Sequence, residues 1–275
     1  MSARTILITG CSSGIGLASA RVMKARGWHV IATARRDDDL AMLRADIGVD
    51  AVHVEMSDPA SVAAGAERAL AISGGRIDAL FNNAAYGQVG AIEDLPGEAL
   101  RRQFEVNLFA QHDLTRRILP VMRRQGHGRI VQCSSVLGLV AAPFRGAYCA
   151  SKFAMEALSD SLRIELKGSG VHVSLIEPGP IRTRFVEHAL ANFVATIDIP
   201  ASPHRALYEA RLARMKQGGN DAFKLEPEAV AEKLVHAVES ARPKMRYYVT
   251  KPTYFAAALK RVAPQRTIDW FVQKM

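Results

Sequence analysis

One pattern restricts the fold of this chain more than any other: short β-branched apolar runs recur along it, most of them followed by a longer amphipathic segment. The runs are TILITG (5–10), HVIATA (29–34), DAVHVE (50–55), DALFNN (78–83), GRIVQCS (128–134), VHVSLIE (171–177) and RYYVT (246–250). Their nearly continuous apolar character suits strands covered on both faces. Helical segments lie near 14–26, 37–45, 60–73, 97–125, 148–168 and 226–241. Strand and helix in this order predict an α/β fold, a doubly wound parallel sheet of about seven strands with helices on both faces.

No charged or Gly/Pro-rich linker divides the series, and the last strand arises only near residue 250, so the sequence predicts one domain over 1–275. The regular alternation breaks at 180–225, a long insert that starts at a strand's carboxyl end, where open parallel sheets bind ligands. The N-terminus lacks a signal-like segment and no apolar run approaches bilayer-spanning length, so a cytoplasmic location is expected. Cys11, Cys133 and Cys149 have no C-x-x-C spacing and the histidines no metal-binding pair, so no metal is expected. The formal net charge of +9 is uneven: from Arg242 onward eight basic residues face the single acid Asp269. This basic tail (242–275) is read as a solvated face. Contact with an anionic membrane surface is the less favoured alternative.

The first strand ends in TGCSSGIG, with glycines at 10, 14 and 16 at the mouth of a helix. Missing side chains there let a pyrophosphate approach backbone N–H groups at the positive end of a helix dipole. A glycine-rich turn that binds nothing is the alternative. Further along, YCASK sets Tyr148 and Lys152 four apart, on one helix face. A tyrosine with pKa near 10 becomes a proton donor and acceptor near neutrality if roughly 3 to 4 kcal/mol favours the phenolate, and a nearby ammonium acts in that direction. An ordinary surface Tyr and Lys would share the same spacing.

Together TGCSSGIG, NNAA (82–85), Asn107, SSVLG (134–138), YCASK (148–152) and EPGPIRT (177–183) resemble the short-chain dehydrogenase/reductase family, most closely its branch of 17β-hydroxysteroid and retinol dehydrogenases and bacterial aldehyde reductases. The resemblance implies a Rossmann-type sheet and hydride transfer between a nicotinamide cofactor and a carbonyl or alcohol. It implies Tyr148 as proton donor, Ser135 rather than Ser134 as the donor to the substrate oxygen, Lys152 on the nicotinamide ribose, and Asn107 anchoring a water that relays protons to Lys152. For Asn107 a buried helix kink satisfied by the amide is the structural alternative. Gly10, Gly14 and Ile15 are implied at the pyrophosphate, Asn83 near the adenosine ribose, and Pro178, Gly179, Ile181 and Thr183 around the nicotinamide. Two positions depart from the family pattern: Ala85 replaces a common glycine, and Glu55 stands where an aspartate usually meets the adenine amino group.

Cofactor choice follows from the end of the second strand. An acid there accepts from a ribose 2′-hydroxyl, whereas a 2′-phosphate needs positive charge. Ala34 takes the acid's place and Arg35 and Arg36 follow it, so NADP(H) is expected, with Ser12 adding a hydroxyl contact. Of the two arginines, Arg36 is the one expected to face solvent. Aliphatic and aromatic residues of the insert (Phe185, Val186, Leu190, Phe193, Val194, Tyr208) suggest an apolar substrate wall. A homodimer or homotetramer through the helices at 97–125 and 148–168 is implied by the resemblance. Two other function classes compete. A catalytically silent dinucleotide-binding regulator has no use for Tyr148, Lys152, Ser135 and Asn107 together, and a nucleic-acid binder rests on charge alone, without a recognition motif.

Overall fold

The computed structural model describes residues 3–216 and 223–273. Seven parallel strands form one sheet in the order β3-β2-β1-β4-β5-β6-β7. They are β1 (Thr5–Ile8), β2 (His29–Ala34), β3 (Asp50–His53), β4 (Ala79–Asn82), β5 (Gly128–Cys133), β6 (Val171–Glu177) and β7 (Arg246–Tyr248). Each sequence-predicted run contains one of them. Register is parallel throughout, Leu7 lying between Ile31 on one side and Leu80 on the other. The order reverses between β1 and β4, which opens a crevice at their carboxyl ends.

Helices cover both faces. On one side α1 (Gly14–Ala25), α2 (Asp37–Met42) and, later in the chain, α9 (Glu228–Glu239) bury Ala20, Met23, Leu40, Val230 and Leu234 against Ile6, Ile8 and Val30. On the other, α3 (Pro59–Ile72) and α5 (Ala110–Gln125) pack Val62, Leu114 and Ile118 on Leu7, Leu80 and Ile130. The long segment at 97–125 is α4 (Gly97–Phe104) and α5 joined by a widened helical turn at Glu105–Phe109, and α6 (Gly146–Glu165) lies beside it. Alternating strand residues therefore feed two cores, as a sheet buried on both faces requires.

The insert carries α7 (Phe185–Thr196) and α8 (Arg205–Lys216), and the tail carries α10 (Lys251–Val262) and α11 (Gln265–Gln273), four helices the sequence reading leaves unassigned. The tail is only partly a solvated face. Arg246 turns inward to Glu156, Glu177 and Asp160, and the Lys260 ammonium lies 4.2 Å from the Phe153 ring centre. Among the described residues no helix is long and apolar enough to cross a membrane, no group of His, Cys, Asp or Glu could hold a metal ion, and the three cysteines are buried and free.

Candidate active site

The carboxyl ends of the strands deliver the site. After β1 the chain turns through Gly10 (φ 70°) and Gly14 (φ 55°), left-handed conformations that favour glycine. Space matters as well. A Cβ on Gly10 would come within 2.8 Å of the Ala84 Cα, and one on Gly16 within 2.1 Å of the Gly10 carbonyl oxygen. Asn83 braces this loop, its Nδ2 donating to the carbonyls of Thr9 (2.9 Å) and Gly10 (3.2 Å). The Thr9 hydroxyl in turn accepts from the backbone N–H groups of Asn83 and Ala84 at 2.9 Å each. At the start of α1, Ser13 makes no capping bond and the first turn holds no acid, so no side chain competes with an anion there. Ile15 packs on the core beneath, and Ser12 is exposed at the lip. These features fit a pyrophosphate.

At the end of β2, Arg35 stands 4.0 Å from Glu55, whereas Arg36 turns to α2, 3.7 Å from Asp38 and 3.9 Å from Asp39. Glu55 Oε1 accepts from the Ser57 N–H (3.0 Å) and hydroxyl (2.9 Å). Partial burial pushes the Glu55 carboxyl up, but the Ser57 bonds and the charges of Arg35 and Arg102 outweigh it and hold the group below its ordinary value. The ends of the second and third strands thus offer a cofactor a guanidinium beside an ionised carboxylate.

At the carboxyl end of β5, Tyr148 and Lys152 lie on the buried face of α6. The Lys152 Nζ donates to the Cys133 carbonyl at 2.6 Å and lies 5.7 Å from the Tyr148 ring centre. Burial pushes Lys152 down to about 8. Tyr148 differs from the sequence-based expectation: burial pushes its phenol up, and the Ser135 hydroxyl and Arg145 charge only oppose that shift. Four-residue spacing reveals the ammonium but not the desolvation, which is the larger effect here.

The two serines diverge. Ser135, in extended backbone, faces the phenol and caps the short turn Val136–Gly138 by accepting from the Leu137 N–H at 3.1 Å. Ser134 faces Gly138 and Glu156, since a Cβ on Gly138 would meet its hydroxyl oxygen at 2.6 Å and then Glu156. Asn107 sits in the widened turn. Its Oδ1 accepts from the Tyr86 N–H (3.1 Å), and its Nδ2 donates to the Tyr86 carbonyl (3.0 Å) and the Ser151 hydroxyl (3.4 Å). That engages both Nδ2 hydrogens and leaves one Oδ1 lone pair. The amide therefore ties the segment after β4 to α6.

Beyond β6, the Pro178 carbonyl accepts from the Val136 N–H at 2.8 Å, and a Cβ on Gly179 would lie 2.0 Å from the Thr250 hydroxyl. Ile181 pairs with Leu225, and Thr183 stands over the glycine loop, its Cγ2 2.9 Å from where a Gly14 Cβ would be. The insert closes the side. The Phe185 ring meets Tyr148 edge-on at 5.4 Å, and the Tyr208 hydroxyl donates to Asp94 (2.6 Å) while accepting from the Ala91 N–H (2.7 Å). A small cleft is lined by Val89, Phe144, Val186, Leu190, Phe193 and Tyr208. Val194, expected in this wall, is 58% exposed instead. Phe144, Arg145 and Arg211 also border the cleft, and the sequence reading misses all three. For Phe144 and Arg145 the available signal was PFR, immediately before the helix of Tyr148.

A parallel sheet with a glycine cradle after β1, and a buried Tyr, Ser and Lys gathered at the carboxyl end of β5 on the same edge of that sheet, defines a dinucleotide-dependent oxidoreductase. Comparison with known proteins agrees. The short chain dehydrogenase family model matches residues 4–192. The chain is 43% identical over 270 residues to the uncharacterized oxidoreductase YbbO of Escherichia coli, covering 98% of this chain and 94% of that protein. It is 35% identical over 262 residues to human 17-beta-hydroxysteroid dehydrogenase type 1, covering 91% and 79%. A solved short-chain dehydrogenase/reductase from Burkholderia phymatum, in complex with NAD, superposes with a TM-score of 0.80 at 26% identity, covering 98% of this chain and 95% of that one. The chain belongs to the short-chain dehydrogenase family, and it is an oxidoreductase of that family.

Proposed function

We propose that this protein is an NADP(H)-dependent reductase interconverting an apolar aldehyde or ketone with its alcohol, and that residues 1–275 act as one such domain. One observation carries the reading: the Ser135 hydroxyl and the Lys152 ammonium both stand beside Tyr148 at the carboxyl end of β5. When bound, the nicotinamide supplies or accepts the hydride. Tyr148 gives its hydroxyl proton to the substrate oxygen, or takes one in the reverse direction, and Ser135 donates to the same oxygen as charge builds on it. Lys152 holds the ribose hydroxyls with its remaining donors, and Asn107 keeps the helix turn and α6 in register. Gly10, Gly14 and Ile15 bind the pyrophosphate, Ser12 adds a hydroxyl contact to the 2′-phosphate, Asn83 holds their loop in shape, Glu55 orients the adenine side, and Pro178, Gly179, Ile181 and Thr183 flank the nicotinamide. A panel of aldehydes, ketosteroids and retinoids assayed with NADPH and with NADH tests the reading. Loss of all turnover under conditions where the cofactor binds would leave the silent regulator standing.

Arg35 is assigned to the 2′-phosphate, with Arg36 supporting it from the start of α2. Wild-type kcat/KM is expected to favour NADPH by about ten- to a hundredfold, the size of a charge-assisted hydrogen bond. Ala34→Asp with Arg35→Ser adds repulsion toward the phosphate and an acceptor for the 2′-hydroxyl, and is expected to reverse the preference. A wild-type preference for NADH would refute this assignment.

The groove between α5 and α6, which exposes Leu158, is assigned to pairing of copies into a homodimer or homotetramer. Leu158→Arg is expected to shift the mass measured by light scattering to that of a monomer, because a charged, longer side chain would replace the exposed leucine at the centre of the contact. An unchanged mass would place the contact elsewhere.

A further inference from the structure

The cleft beside Tyr148 is apolar except for two cations. Arg145 is the residue immediately before α6, and Arg211 lies on α8, so two separate elements place guanidinium groups on one small cavity. Among the described residues neither has a carboxylate within ion-pair distance. The other arginines near the site behave differently, since Arg35, Arg36, Arg184 and Arg246 each have an acid at hand. Burial lowers the Arg145 guanidinium from its ordinary value and the like charge of Arg211 acts in the same direction. Arg145 is half-buried and has no acid beside it among the described residues, which is unfavourable for the empty protein, whereas Arg211 reaches the cleft from an exposed position on α8.

The backbone holds this arrangement in place. Phe144 is the one non-glycine residue at positive φ among the described residues (62°), and its carbonyl accepts from the Gly90 N–H at 3.0 Å. In that conformation its ring lies under Arg211, whose guanidinium carbon stands 4.5 Å from the ring centre, and meets Tyr208 edge-on at 5.6 Å. Left-handed backbone at an aromatic residue persists only where the surroundings enforce it. Here it presents the ring on which the Arg211 guanidinium rests at the cleft.

We propose that the substrate carries an oxyanion, a carboxylate in the first instance, at the far end of an apolar body, held between Arg145 and Arg211 while the carbonyl sits at Tyr148. The carbonyl half of this statement rests on the reductase reading above, and the anion half does not. Arginine suits the task because its planar donors match an oxyanion bidentately and its charge persists in an apolar setting. ω-Oxo and keto fatty acids have this chemistry.

Binding and turnover test the two halves separately. Octanoate, octyl phosphate and octanol are titrated calorimetrically into the NADPH complex, and octanal and 8-oxooctanoate are compared as substrates. Octanoate is expected to bind about tenfold or more tightly than octanol, as one charge-assisted contact predicts. Tighter binding of octyl phosphate than of octanoate would assign the site to a phosphate monoester of the same shape. In Arg145→Met with Arg211→Met the anion's advantage over octanol disappears, and the kcat/KM ratio of 8-oxooctanoate to octanal falls by the same factor. Arg211→Gln alone, on an exposed helix, reports a partial loss if the double variant fails to fold. Equal binding of octanol and both anions, or an advantage that survives removal of the arginines, overturns the proposal. Anion binding without turnover of either aldehyde would instead overturn the reductase reading and leave the arginine pair in place.

Discussion

Tyr148→Phe is expected to lower kcat by about two orders of magnitude or more while NADPH binding persists, the loss typical of a general acid–base group. The substitution removes one oxygen and little else. Tyr148 is buried and its ring stacks edge-on against Phe185, contacts that phenylalanine reproduces. Stopped-flow reduction of a carbonyl substrate, with cofactor titration by fluorescence, separates the effects, and near-wild-type turnover would remove Tyr148 from the mechanism. Lys152→Met behaves differently because Lys152 has two tasks: both turnover and cofactor affinity should fall, and the Cys133 carbonyl loses its donor. Burial pushes the phenol up, so it keeps its proton at neutral pH and is loaded for carbonyl reduction. Reduction is therefore expected to be insensitive to pH below about 8, where Lys152 is also charged, and alcohol oxidation to rise with pH as the phenolate becomes accessible.

Legibility of the site followed distance along the chain. Gly10, Gly14 and Gly16 fall within seven residues and Tyr148 and Lys152 within one helical turn, so contiguous text carries them. The strands were legible for a related reason: a strand buried on both faces must be apolar throughout, and Val30, Ile31 and Ala32 show it. Properties set by residues far apart in sequence were not. The direction of the Tyr148 shift depends on how completely α6, the insert and β5 exclude water from it. Asn107 shows nothing of its bonds to Tyr86 and Ser151, which span 21 and 44 residues. The helices of the insert and tail pack on loops and on each other rather than on the sheet, so no strand-helix alternation announces them. Arg145 and Arg246 look alike in sequence. Only packing shows that, among the described residues, one has no acid beside it and the other holds three.

That second arginine carries the largest expected effect on stability. Arg246→Met should destabilise the chain by about 3 kcal/mol in chemical unfolding, the lower end of the range for breaking a buried pair because the side chain keeps some contact with water. Nη1 donates to Glu177 at 2.7 Å and also to Glu156, and Nη2 donates to Asp160 at 2.6 Å. Glu177 is wholly buried and Glu156 nearly so, and without the guanidinium both are stranded. Even with it, burial pushes Glu156 up, and burial together with the charge of Glu156 pushes Glu177 up to about 8. Because a raised carboxyl pKa means the folded state holds a proton that the unfolded chain has released, the contribution of this group is fully present below about 4.5 and is lost as pH rises toward 8. Glu177→Gln keeps an oxygen for Arg246 and removes the titration, so the difference between the stability curves of the wild type and of this variant should isolate that slope. An unfolding free energy with the same slope in both proteins would mean that Glu177 ionises as it does in water. The network also bears on the site: Glu177 leads directly into Pro178 and Gly179, and Glu156 lies one helical turn beyond Lys152. Arg246→Met is therefore expected to weaken cofactor binding as well as the fold, through residues that never touch the cofactor.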